Sequence, residues 1–126
     1  MAFVQLKAGA AIDAAELLGF VAERTPERAA SPVEVYFIEA LPLTAVGKVF
    51  KPALRWDAAR RAVTRMLSGL RRDGGAIAVE VGPHAEHGSL ITVTIDGVPA
   101  DGRALLERQI GERLDPLVMK HETVWR

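Results

Sequence analysis

The chain has 126 residues, 49% of them hydrophobic and 25% charged, with 16 basic side chains balanced by 16 acidic ones. That is enough material to bury a core without covalent staples. The absence of cysteine removes disulfides, thiolate zinc sites, iron–sulfur clusters and cysteine nucleophiles, and no apolar run approaches the roughly 20 residues of a membrane-spanning helix. The first residues, Met1 to Lys7, have neither a long apolar stretch nor a small-residue cleavage site, so a strand is expected there and a cytoplasmic location for the protein.

The neutral total is unevenly spread. Lys48 to Arg72 holds eight basic residues (Lys48, Lys51, Arg55, Arg60, Arg61, Arg65, Arg71, Arg72) and one acid, Asp57, which makes it +7 and the rest −7. One basic stretch suits a phosphorylated ligand or a single acidic partner better than a nucleic acid or a membrane coat, which would shift the whole balance.

In chain order, residues 2–7 read as a strand followed by an Ala-Gly-Ala turn. Asp13 with Glu16 makes a capping-box-like start to a helix over 14–25, where Leu17, Leu18 and Val21 recur at helical spacing before Pro26. Val33 to Ile38 alternates and is β-branched and aromatic, a second strand ending at Leu41-Pro42. Residues 41–52 form a loop of small residues with Gly47 and Lys48 between apolar neighbours. Asp57 then caps a helix with an apolar stripe of Ala59, Ala62, Val63, Met66, Leu67 and Leu70, stopping at Gly74-Gly75.

Residues 76–82 and 89–95 alternate as strands joined by a long polar loop, Pro83 to Gly88. Asp101 is the expected cap of a helix holding Leu105, Leu106, Ile110 and Leu114, and Leu117 to Trp125 is the last strand. The expected class is α+β: a small mixed sheet with packed helices, ordered βαβ, lysine loop and helix over 1–72, followed by an extra ββαβ layer over 73–126 packed on it. Strand, turn and helix in 3–24 faintly echo strand, turn and helix in 90–114.

The chemical inventory is short. The chain has no G-x-x-x-x-G-K-[ST] phosphate loop, no G-x-G-x-x-G, no H-E-x-x-H and no G-x-S-x-G around Ser31, Ser68 or Ser89. His84 and His87 flank Glu86 in a Gly/Pro-rich loop, while His121 lies far along the chain, so no metal site is expected. Trp56, Phe50 and Tyr36 are too scattered for a base-stacking platform. That leaves Lys48, whose ammonium on a loop tip can act as a point charge toward phosphate or carboxylate oxygens.

The stretch Glu39-Ala-Leu-Pro-Leu-Thr-Ala-Val-Gly-Lys-Val-Phe-Lys-Pro-Ala-Leu-Arg55 resembles the C-terminal domain of the adenylate-forming superfamily, whose usual motif is ELP-x-T-x-x-GK-[IV]-x-[KR]-x-x-LR. Ala2 to Ala10 resembles the strand that opens the bulk of that domain, and the resemblance runs over roughly residues 2–62, most like bacterial fatty-acyl-CoA synthetases. It departs from the motif at Leu43, often basic in the family, and at Pro52.

The resemblance implies that Lys48 is the adenylation lysine of a parent ATP-dependent acid–thiol ligase. It implies further that Pro42, Thr44 and Gly47 shape the loop, that the small domain rotates after adenylate formation, and that Lys51, Arg55, Arg60 and Arg61 are candidate contacts for CoA phosphates. ATP with magnesium, CoA and a carboxylic acid are then substrates of the parent, the partner is its N-terminal ATP- and acyl-binding domain, and this chain alone is inactive. The reading from a different class is a standalone ferredoxin-like binding or assembly module that engages an acidic partner through the basic helix.

Overall fold

A computed structural model describes residues 1–70 and 75–126. The expected helix stop at Gly74, the basic residues Arg71 and Arg72 and most of the expected boundary at 72–75 fall outside the described residues. The fold is α+β, with three α-helices and two small sheets, one of them mixed, among the described residues. The chain divides into two compact units, Met1–Leu54 and Arg55–Arg126.

In the first unit, strand β1 (Ala2–Val4) pairs in parallel with β2 (Val35–Phe37), with Phe3 opposite Tyr36 and their rings 5.9 Å apart. β1 stops short of the expected Lys7, and just past its end the Gln5 side chain is engaged, its Oε1 accepting the Leu41 amide at 2.9 Å. Between them runs α1 (Ala14–Arg24), whose cap is as expected: Asp13 Oδ1 accepts from the Glu16 amide at 2.7 Å. The helix ends at Thr25, extended as a residue before proline must be. Leu17, Leu18 and Val21 are half-buried and α1 packs on β2, yet no residue of this unit is buried outright.

The basic helix α2 (Lys51–Leu67) starts seven residues before the Ala58 that an Asp57 cap implies and continues as a 3-10 turn, Ser68–Leu70. Pro52 belongs to its first turn, where no amide hydrogen is required and φ is already helical. Asp57 is therefore inside the helix and caps nothing. Val63, Leu67 and Leu70 are buried, whereas Ala62 and Met66 are exposed, which narrows the expected stripe.

The second unit is built on a sheet ordered β3–β4–β5, from β3 (Ala76–His84), β4 (Gly88–Asp96) and β5 (Lys120–Trp125). β3 and β4 are antiparallel, β4 and β5 parallel, and α3 (Ala100–Leu114) makes the crossover between the latter two. The hairpin is tighter than the expected six-residue loop: His84 pairs with Gly88 across Ala85-Glu86-His87. Gly88 takes the left-handed φ of 71° that such a three-residue turn uses. Pro83 sits within β3 because that strand is at the sheet edge.

α3 is preceded by Pro99, not capped by Asp101, which lies in its first turn beside the positive end of the helix dipole. Leu105 is exposed, another departure from the expected stripe. β5 starts at Lys120 because the Leu117 amide still bonds Leu114 O at 2.9 Å, continuing the helix exit. One face of the sheet carries Ile91, Val93 and Ile95, buried with Val63, Leu67 and Leu70 and with Ile110 and Leu114 of α3. Trp125, Ile77 and Val79 pack around this cluster. Trp56 is held as well, its indole N–H donating to Ser89 Oγ at 2.9 Å.

Candidate functional site: the Gly47-Lys48 hairpin

Residues 42–50, expected as a loop, are a miniature hairpin. Leu43 and Val49 form an antiparallel bridge, the Phe50 amide donates to Pro42 O at 2.8 Å, and the Thr44 amide donates to Lys48 O at 2.7 Å. The Gly47 amide closes the tip onto Thr44 O at 2.9 Å. Gly47 has φ 79° with open space where a Cβ would be, so glycine is needed here for its backbone conformation and not for room. A turn followed by one left-handed residue is a favoured way to close a short hairpin on three residues.

Thr44 acts twice: besides its backbone bonds, its Oγ1 accepts the Lys48 amide at 3.2 Å, pinning the backbone of the lysine to the opposite limb. Pro42 stands where the chain enters, next to Leu41, whose amide is anchored on Gln5. Sequence reasoning missed that anchor, because nothing in the spacing of residues 36 positions apart announces a side-chain-to-backbone bond. The Lys48 side chain is exposed, and its ammonium has no hydrogen-bond or ion-pair partner among the described residues. Leu43, Val46, Val49 and Phe50 around it are exposed too, with Val46 80% accessible at the tip. The result is a stiff, apolar-flanked projection carrying one unengaged positive charge.

The remaining site candidates divide between the two units. Lys51, exposed, is the first residue of α2 and closes the first unit's share of the basic segment, while Arg55, Arg60 and Arg61 belong to the second. Arg60 and Arg61 converge on Asp57, at 2.6 Å to Oδ1 and 2.7 Å to Oδ2. Burial raises the pKa of this carboxyl, but hydrogen bonds from Arg61 and Arg60 and the charges of both guanidinium groups outweigh it and hold the pKa below its ordinary 3.8. The signal for this clamp was available as Asp57-x-x-Arg60-Arg61, which sets both arginines one turn on from the acid.

His84 and His87 stack with centroids 4.8 Å apart, and His84 Nδ1 accepts from the Glu86 and His87 amides, both at 3.3 Å, as part of the turn. His121 Nε2 lies 2.9 Å from Asp115 Oδ1. Among the described residues no group of three or more His, Asp or Glu side chains is placed to hold a metal, and no helix is long and apolar enough to cross a membrane.

Residues 1–48 match the family described as AMP-binding enzyme C-terminal domain. The match ends on the hairpin lysine. The chain is also similar to the marinolic acid–CoA ligase of a Pseudoalteromonas species, 30% identical over 117 residues, which is 93% of this chain and 18% of that relative. The chain thus spans under a fifth of the curated relative's length, and the similarity extends well beyond the family match into the second unit. No solved structure matches it.

Proposed function

We propose, from the match of residues 1–48 to the family described as AMP-binding enzyme C-terminal domain and the similarity to a CoA ligase, that the chain is the C-terminal part of an ATP-dependent acyl-CoA ligase, with Lys48 as the adenylation lysine. The observation that carries this reading is the hairpin: a stiff projection that holds the Lys48 backbone through Thr44 and Gly47 while leaving its ammonium unengaged. Attack of a carboxylate on the α-phosphate of ATP concentrates negative charge on the reacting oxygens, and a positioned ammonium in a dry site stabilises that charge most where it develops. The exposed apolar residues Leu43 and Val46 suit a tip that enters another domain and excludes water around the lysine.

The carboxylic acid is of fatty-acyl type, in keeping with the relative's printed activity as an acid–CoA ligase. ATP with magnesium and CoA are substrates of the parent enzyme, and the large ATP- and acyl-binding domain of the same parent chain is the partner. After adenylate formation the small domain turns, Lys48 withdraws, and Lys51, Arg55, Arg60 and Arg61 supply positive charge for the CoA phosphates. The parent acts in the cytoplasm, and the 126 residues alone are inactive because the ATP and acid sites lie in the large domain. The standalone ferredoxin-like reading is not favoured, since 93% of the chain aligns with one end-use, a CoA ligase.

The test separates the half-reactions. Lys48→Ala in the parent enzyme lowers ATP–pyrophosphate exchange about 100-fold or more, the scale of losing one preorganised charge-stabilising group, while thioester formation from supplied acyl-adenylate is retained. Equal loss in both half-reactions contradicts the assignment.

A further inference from the structure

The hairpin that carries Lys48 is tied within itself and joins the rest of its unit through its two ends. Across its limbs run the bonds from the Thr44 amide to Lys48 O, from the Phe50 amide to Pro42 O and from the Lys48 amide to Thr44 Oγ1, so residues 42–50 form one stiff piece. At the far end the chain passes into α2, where the Ala53 amide already donates to Phe50 O at 3.2 Å. At the near end the ladder between β1 and β2 stops where the Ile38 amide donates to Val4 O at 2.9 Å, and Glu39 and Ala40 follow as exposed bends outside it.

The next tie is made by a side chain. Gln5, the residue directly after β1, accepts the Leu41 amide on its Oε1 at 2.9 Å. Val4 through its carbonyl and Gln5 through its carboxamide therefore hold positions 38 and 41, on either side of the bends. Leu41 carries the last amide hydrogen before the hairpin, because Pro42 has none.

We propose that Gln5 is a positioning residue for Lys48: its carboxamide fixes the direction in which the hairpin leaves β1, and through the hairpin the place that the ammonium reaches during adenylate formation. The inference rests on the assignment of Lys48 as the adenylation lysine. The hairpin is a lever. From Leu41 to Val46 at the tip is roughly 16 Å of extended chain, so a tilt of about 10° at Leu41 swings the tip by roughly 3 Å. A misplacement of about 1 Å is enough to slow a reaction that depends on alignment. Gln5 is exposed, so its bond adds little to stability. What it supplies is direction.

The experiment compares two variants in the parent enzyme: Gln5→Leu, which keeps the bulk and removes the acceptor, and Gln5→Glu, which keeps an oxygen for the Leu41 amide. Gln5→Leu lowers kcat for ATP–pyrophosphate exchange about fivefold, the usual net worth of one exposed hydrogen bond. KM for ATP stays unchanged and thioester formation from supplied acyl-adenylate is retained, while Gln5→Glu restores exchange. In a Lys48→Ala background Gln5→Leu has no further effect, as a residue that acts through the lysine requires. In the 126-residue chain, Gln5→Leu speeds hydrogen exchange of the Leu41 amide and leaves the Thr44, Lys48 and Phe50 amides as protected as before.

Full exchange activity in Gln5→Leu beside a large loss in Lys48→Ala overturns the inference and leaves the ligase reading standing. A Leu41 amide that exchanges no faster in Gln5→Leu also overturns it. So does a further loss on top of Lys48→Ala, an equal loss in both half-reactions, or lost protection throughout the hairpin, each of which marks general damage to the unit. Intact exchange activity in Lys48→Ala overturns the ligase reading and this inference with it.

Discussion

The two units of this chain solve the burial problem differently. Among the described residues, the eight buried hydrophobic ones, from Val63 to Leu114, all belong to Arg55–Arg126 and cluster against its three-stranded sheet. Met1–Leu54 contains none, although it has two strands, a capped helix and a hairpin, and it leaves Phe20, Val33, Leu43 and Val46 exposed. Both units expose apolar side chains, Leu105 and Val118 among them in the second, but the unit that carries the unengaged lysine has no buried core of its own. On the proposed reading, the exposed Leu43 and Val46 beside Lys48 are surface that another domain would cover, whereas the buried cluster of the second unit is packed within the unit itself.

The contrast can be broken first by cavity formation. Ile110→Ala empties a fully buried site between α3 and the sheet and lowers unfolding free energy by roughly 2–5 kcal/mol. The matched change in the open unit, Leu17→Ala, removes a half-buried side chain and costs about 1 kcal/mol. Urea unfolding of the two variants checks this, and equal losses would mean that the first unit has a core after all.

A smaller effect comes from the Asp57 clamp. Because the folded-state pKa of Asp57 lies below its ordinary 3.8, its ionised form stabilises the fold above that pH, and the contribution is lost as pH falls through the lower folded-state value. With the Asp57 side chain 28% exposed, water screens the pair. Asp57→Asn therefore lowers stability at neutral pH by at most about 1 kcal/mol and flattens the acid limb of the stability curve below pH 3.8. An unchanged acid limb in the variant would assign acid sensitivity to other carboxylates.

Much of this architecture was legible in the residues. Asp13 and Glu16 announce α1, the alternation of residues 89–95 announces β4, and the echo between 3–24 and 90–114 turns out to be topological: each is a strand–helix–strand unit with its two strands parallel. The misses share a cause, in that local capping chemistry was read where tertiary or backbone constraints prevail. Asp57 and Asp101 look like caps, but Pro52 starts one helix earlier and Pro99 precedes the other. Gly88 tightens a turn that the Pro and His residues around it made look long. At the candidate site, Pro42, Thr44, Gly47 and Lys48 are singled out by motif alone, while the hydrogen bonds around them, from the Lys48 amide to Thr44 Oγ1 and from the Leu41 amide to Gln5 Oε1, depend on pairings that spacing does not encode.

The central claim is that these residues form the small part of a larger ligase. The most direct measurement is the mass of the native polypeptide in its source cells, detected with an antibody raised against this chain. The account predicts a band several times heavier than 13.6 kDa, in line with a relative of which this chain spans 18%. A native band at 13.6 kDa would contradict it and leave the Lys48 hairpin without a covalently attached domain to enter.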